Sequence, residues 1–125
     1  MGLFSGMLGN ASTVSKREVR AELENILVEN EEIDAAFKLV RDLIVFTDKR
    51  LILIDKQGMT GKKVDYHSIP YKSISHFSIE TAGHFDLDAE LKLWISGEPE
   101  PAVSKQFKKD QSVYEIQKAL AAVCV

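Results

Sequence analysis

Residues 84–95 read HFDLDAELKLWI, and the acids Asp86, Asp88 and Glu90 at intervals of two admit two readings. Carboxylates so close together can cage a divalent cation or work as a catalytic acid–base pair. The same spacing is also the solvent row of a β-strand, whose successive side chains point to opposite faces. Phe85, Leu87, Ala89, Leu91, Leu93 and Ile95 form one unbroken apolar row. Asp86, Asp88, Glu90, Lys92 and Ser96 form the other, with Trp94 among them. A calcium loop needs a glycine and a curled backbone that gathers oxygens to one point. Here Leu91 follows Glu90, and the acids fall about 6.6–7 Å apart along one face. The stretch is a strand with a wet acidic face, and no divalent metal is expected to be required.

Working outward, the middle of the chain keeps the period of a sheet. In EIDAAFKL, Ile33, Ala35, Phe37 and Leu39 alternate with Asp34, Ala36 and Lys38. LIVF and RLILID, separated by Thr47-Asp48-Lys49, read as a hairpin. KQGMTGK is a looser loop feeding a strand KVDYH; Pro70 marks the break before SISHFSIET, and Gly83 turns the chain into 84–95. Beyond the proline-rich turn at 97–101 a seventh run, VSKQFKK, leads to the C-terminus. Seven short strands with few residues each favour a sheet that curls toward closure, because twist and unpaired edges both work against a flat one.

Helical signals bracket the strands. SKREVRAELENIL places Val19, Leu23, Ile26 and Leu27 at helical spacing, and SVYEIQKALAAV does so with Val113, Ile116, Leu120 and Val123. Ser15/Glu18 and Ser112/Glu115 carry the capping-box pattern. Both helices are amphipathic and should lie on apolar surfaces; the last one plugs the open end of the curled sheet. Residues 1–14 read as a flexible or amphipathic tail, with Leu3, Phe4, Met7 and Leu8 on one helical face, ahead of a single domain over 15–125.

The totals narrow the class. At 125 residues one core is expected. The net charge of −3 argues against nucleic acid, which calls for a basic excess. The single cysteine, Cys124, leaves no intrachain disulfide and fits a reducing cytoplasm. No apolar run approaches the roughly 20 residues of a membrane span, and the first residues lack both the regions of a signal peptide and the myristoylation pattern, since Gly6 stands where Ser or Thr is needed.

No catalytic, cofactor or metal set emerges. GMTGKK lacks the glycine spacing, the hydroxyl and the following helix of a phosphate loop. His67, His76 and His84 lie on different strands without ligand spacing, no nucleophile elbow accompanies the serines, and Cys124 sits in an apolar helical stripe as a packing residue. The basic residues Lys49, Arg50, Lys56, Lys62, Lys63, Lys105, Lys108 and Lys109 flank turns and the last strand. They suit either anionic lipid or the charged edges of a soluble β-protein.

The pieces FKLVRDLIVFT, DKRLIL, DKQG, TGKK, SIPY and ETAGHFDLDAELK resemble the bacterial pleckstrin-homology-like domain family, a former domain of unknown function, and the likeness spans nearly the whole chain. It implies a mainly β fold: a seven-stranded, partly open barrel of two near-orthogonal sheets, closed by a C-terminal helix. It also implies a ring-shaped homo-oligomer, a pentamer most of all, with a hydrophilic protein-binding surface where strands of neighbouring subunits meet. The resemblance supplies no catalytic residues. The lipid-binding loop of eukaryotic relatives has no match, because the corresponding connection Val40-Arg41-Asp42 is short and its one base is offset by an acid.

The expected function is a non-enzymatic, cytoplasmic interaction module. It associates with itself and offers an unidentified protein the residues Thr81, His84, Asp86, Asp88 and Glu90. The alternative is a peripheral membrane adaptor that uses Lys56, Lys62, Lys63 and the apolar N-terminus. Independently of the resemblance, a partly closed sheet leaves strand edges that invite pairing, so the chain is not expected to be a monomer.

Overall fold

A computed structural model describes residues 15–39, 42–57, 63–81, 88–108 and 111–125, without the side chains of 57, 88, 107, 108, 111 and 112. The tail with Leu3, Phe4, Met7 and Leu8 therefore lies outside the described residues. So do Val40-Arg41, the Gly58–Gly61 loop with Lys62, the Gly83 turn with His84 to Leu87, and Lys109.

Seven strands form two antiparallel sheets. The first holds β1 (Ile33–Lys38), β2 (Asp42–Thr47), β3 (Arg50–Gln57) and β4 (Lys63–Pro70) in chain order. The second holds β5 (Ile74–Thr81), β6 (Asp88–Ile95) and β7 (Val103–Lys108). Helix α1 (Lys16–Glu22) precedes the strands and α2 (Gln111–Cys124) follows them.

The two sheets are buried differently, and their sequences show it. Strands β1 to β3 of the first sheet are covered on both faces, whereas β4 at its edge is largely exposed. Phe37, Ile44, Phe46, Leu51 and Leu53 point into the main core, where they meet Leu91, Leu93 and Val103 of the second sheet and Val113, Ile116 and Leu120 of α2. Phe37 and Phe46 pack edge to face with centroids 6.0 Å apart, the geometry favoured by ring quadrupoles. On the opposite face Ala36, Val45, Ile52 and Ile54 pack under Val19 and Leu23, with Ile26 and Leu27 alongside. A strand buried on both sides loses its polar row, which is why LIVF and LILI are continuous apolar runs. The second sheet buries one face only, so Ala89, Leu91 and Leu93 alternate with polar residues as the spacing at 84–95 requires.

Four local expectations are corrected. Helix α1 stops at Glu22 rather than Leu27. The next turn tightens, with Ile26 N–H and Leu27 N–H both donating to the Leu23 carbonyl, while the Ile26 carbonyl accepts from Arg50 at 2.8 Å. Ser15 does cap α1, accepting from Arg17 N–H at 3.2 Å, whereas Ser112 falls inside α2 rather than ahead of it. In β1 the register shifts between Ile33 and Ala35, and this bulge turns Ile33 onto the outer face beside Ala36 instead of leaving it in line with Phe37. Strand β4 continues to Pro70, which a sheet edge tolerates because no ladder donor is lost inside the sheet; a 3-10 turn at Tyr71–Ser73 then carries the chain to the second sheet.

Gly97, in the turn after β6, has φ +86 with nothing within 4 Å of a built Cβ. Gly97→Ala should therefore lose only the backbone term, about 1 kcal/mol, read as a lower denaturant midpoint at unchanged slope.

Candidate protein-interaction surface

The outer face of the β5–β6–β7 sheet is polar, and its register sets three rows. His76 faces Trp94, Ser78 faces Lys92, and Glu80 faces Glu90; across the next ladder Lys92 faces Ser104 and Glu90 faces Gln106. The His76 and Trp94 rings stack, with centroids 4.3 Å apart and planes 20° from parallel. Lys92 Nζ lies 3.7 Å from Glu80 Oε1 and 3.8 Å from Glu90 Oε1, and the Ser104 hydroxyl donates to Glu90 Oε2. Such exposed pairs contribute about 0–1 kcal/mol each, so they fix side-chain positions more than they stabilise the fold.

Among the residues expected at the surface, Glu90 sits on the middle strand of this face, in the end row with Glu80. Asp88 opens β6 opposite Lys108, with both side chains outside the described set. Thr81 pairs with Ala89, so it belongs to the core-facing row of Phe77 and Ile79 and is exposed at the strand end, not beside Glu90. His84 and Asp86 lie outside the described residues. Four residues complete the face that spacing alone does not single out: His76, Ser78, Glu80 and Ser104. Only the ladder register brings them beside β6, and register is a long-range property. Trp94, an indole in a polar row, is the one advance signal.

The basic residues divide. Lys63 is exposed at the start of β4. Lys56 pairs with Glu22 of α1 at 3.2 Å and, with Lys38, borders a groove of about 460 Å³ floored by Val19, Leu43 and Ile54. Glu18, Glu22 and Asp42 also line it, an acidic surround unsuited to an anionic headgroup. Lys62 lies outside the described residues. Two of the bases flanking turns and the last strand are structural. Arg50 donates from Nε and Nη2 to the two Glu31 oxygens at 3.0 and 2.9 Å, from Nη2 to the Ile26 carbonyl and from Nη1 to Ser68. Lys105 reaches from β7 to Asp42 Oδ2 at 3.0 Å and Asp55 Oδ2 at 3.5 Å, tying the second sheet to the first.

These contacts move protonation equilibria. Burial alone would raise the Glu31 carboxyl, but hydrogen bonds from Arg50, Thr47 and Val28 N–H overcome it and hold the pKa at about 2 rather than 4.5. Burial, reinforced by Asp55 directly across the ladder, pushes Asp42 above the usual carboxylate range in spite of Lys105. Burial would lower the Lys105 ammonium; Asp42 and Asp55 carry it above its usual value. Burial pushes the Cys124 thiol up, in keeping with a packing residue.

The same geometry bears on catalysis. Ser75 Oγ is 3.3 Å from His76 Nδ1, yet the hydroxyl donates to the Trp94 carbonyl at 3.2 Å and the imidazole lies flat on the indole. That is the packing of a surface strand. Among the described residues no three His, Cys, Asp or Glu side chains converge as metal ligands, and no helix is long and apolar enough to cross a membrane.

Comparisons with known proteins place the chain. The sequence model described as Bacterial PH domain matches residues 2–124. The uncharacterized protein YjqA of Bacillus subtilis strain 168 is 71% identical over 125 residues, covering 100% of both chains. The crystal structure of a pleckstrin homology domain from Shewanella amazonensis SB2B is 61% identical, covers 88% of this chain and 98% of its own, and superposes with TM-score 0.76. A DUF1696 family protein with a pleckstrin-homology domain from Shewanella loihica PV-4 is 54% identical, covers 91% and 97%, and gives 0.77. Two antiparallel sheets closed by a C-terminal helix and a sequence match over nearly its whole length make this chain a member of the bacterial PH domain family.

Proposed function

We propose that the protein is a non-enzymatic, cytoplasmic interaction module that assembles into a cyclic homo-oligomer, a pentamer, and offers the outer face of β5–β6–β7 to another protein. The observation that carries the reading is that face itself: a stacked His76–Trp94 pair beside the Glu80, Glu90 and Lys92 charges on a sheet whose other side is core. An aromatic pair set among partly exposed charges has the composition of an interface anchor. Self-assembly is supported by topology. Strands β1, β4, β5 and β7 end their sheets, and such edges favour pairing with a neighbouring chain. Glu90 is the member of the sequence-expected set that this reading keeps, since Thr81 belongs to the opposite row of β5.

The test is capture from native cells with the intact assembly, alongside a Glu80→Lys/Glu90→Lys variant. The wild type should retain a protein partner that the variant loses, and both should co-sediment weakly with phosphatidylserine-rich liposomes at physiological salt. Equal capture by the variant would remove this face from the account. Strong liposome binding that falls with ionic strength and with Lys62→Glu/Lys63→Glu would replace the module by a membrane adaptor.

A further inference from the structure

Trp94 is the only tryptophan in the chain, and the fold sets it on the outer face of β6 rather than in the core, with His76 flat against it. At the other end of the face the Glu80 and Glu90 carboxylates stand opposite each other and share one ammonium, Lys92, at 3.7 and 3.8 Å. That end keeps an excess negative charge, and the Glu80 side chain is 60% exposed. The row between the two ends is Ser78, Lys92 and Ser104; the Lys92 ammonium leans toward the carboxylates, and along β5 itself only the short Ser78 side chain separates His76 from Glu80.

An extended segment on this face meets aromatic rings first and carboxylates next. From position 76 to position 80 is about 13 Å along a strand, so the segment repeats the same separation after four of its own residues. One side chain suits both ends. A guanidinium stacks on an aromatic ring and pairs through two donors with a carboxylate, whereas an ammonium supplies a compact charge and no plane.

We infer that the outer face of β5–β6–β7 takes an extended segment of a partner protein carrying two arginines four residues apart, one over the His76–Trp94 pair and one at the Glu80–Glu90 pair. The inference rests on the reading of the chain as a protein-interaction module and adds the chemistry of the partner.

Because the chain has one indole, its emission reports on this face directly. The intact assembly is titrated with a Gly/Ser peptide carrying two arginines four residues apart, with a second in which the arginines are adjacent, and with a third in which glutamates replace them. The first should change Trp94 emission saturably and weaken with salt. Affinity should fall about tenfold for the adjacent-arginine peptide and for the Glu80→Gln/Glu90→Gln protein. No saturable change, or an equal response to the glutamate peptide, overturns the inference. A photo-crosslinking residue at position 78 in native cells separates the two levels of the account. A crosslink to a segment without paired basic residues sinks the arginine reading and leaves the module standing. A silent position 78 together with an unresponsive Trp94 takes the module reading down as well.

Discussion

Arg50→Met should lower the stability of the folded chain by about 3–5 kcal/mol, the loss typical when one partner of a buried ion pair is removed and the other stays behind. Glu31 is the partner left behind: its carboxylate is 0% exposed and also accepts from the Thr47 hydroxyl at 2.6 Å and Val28 N–H at 3.1 Å. Asn30, in the left-handed region at φ +67, shapes the turn in which Glu31 N–H donates to the Val28 carbonyl. Arg50 thus fastens the segment that follows α1 to the β2–β3 turn, and a shift of roughly 10–20 °C in Tm is the expected readout. Adding Glu31→Gln to the variant should recover part of the loss, because the uncompensated charge disappears while an acceptor for Val28 remains. Equal stabilities of wild type and Arg50→Met would show that the cluster adds nothing. The pH dependence follows from the depressed pKa of Glu31. Its contribution, about 3 kcal/mol for a fall from 4.5 to about 2, is complete above pH 4.5 and drains away as pH falls toward 2. In Arg50→Met that acid limb should be much shallower.

Lys105→Met should be the second large loss, about 3 kcal/mol at neutral pH. Asp42, Asp55 and Asp65 stand in register across β2, β3 and β4, and like charges directly opposite one another destabilise a sheet. Lys105 is the cation that bridges the first two from the other sheet. Without it, the Asp42 carboxylate, 9% exposed, is left beside Asp55. The direction with pH is opposite to that of Glu31. A carboxyl whose folded pKa is raised favours the fold when protonated and disfavours it as pH rises, so the variant should regain stability as the pH is lowered toward the carboxylate range. Lys105 itself, raised above 10.5, keeps its contribution at neutral pH and loses it only as pH climbs past its folded value. Chemical denaturation at neutral and mildly acidic pH checks the Asp42 statement, and the same measurement on the wild type at alkaline pH checks that for Lys105; a loss that does not shrink on acidification would remove Asp42 as its cause.

The reasons some features were legible in the sequence and others were not are physical. Alternation at Ala89–Ile95 and the stripe Val113, Ile116, Leu120 are local periodicities, and each matches the core it builds. The bulge that turns Ile33 outward is not periodic; a single shifted residue in β1 is chosen by what the strand packs against. Arg50 and Lys105 look like surface bases because a long polar side chain beside a turn usually is one. Their partners, Glu31 and Asp42, lie 19 and 63 positions away, and no short-range pattern links them. The candidate surface was half legible for the same reason. Glu90 and the oddly placed Trp94 can be read from β6 alone, whereas His76, Ser78, Glu80 and Ser104 join them only through register, and Thr81 falls to the other face for that reason too.

Self-assembly of these chains is the central proposal. Light scattering coupled to size exclusion, over a hundredfold dilution from about micromolar concentration upward, should return one discrete mass near five times 14.0 kDa. A single species at 14.0 kDa throughout that range would contradict it.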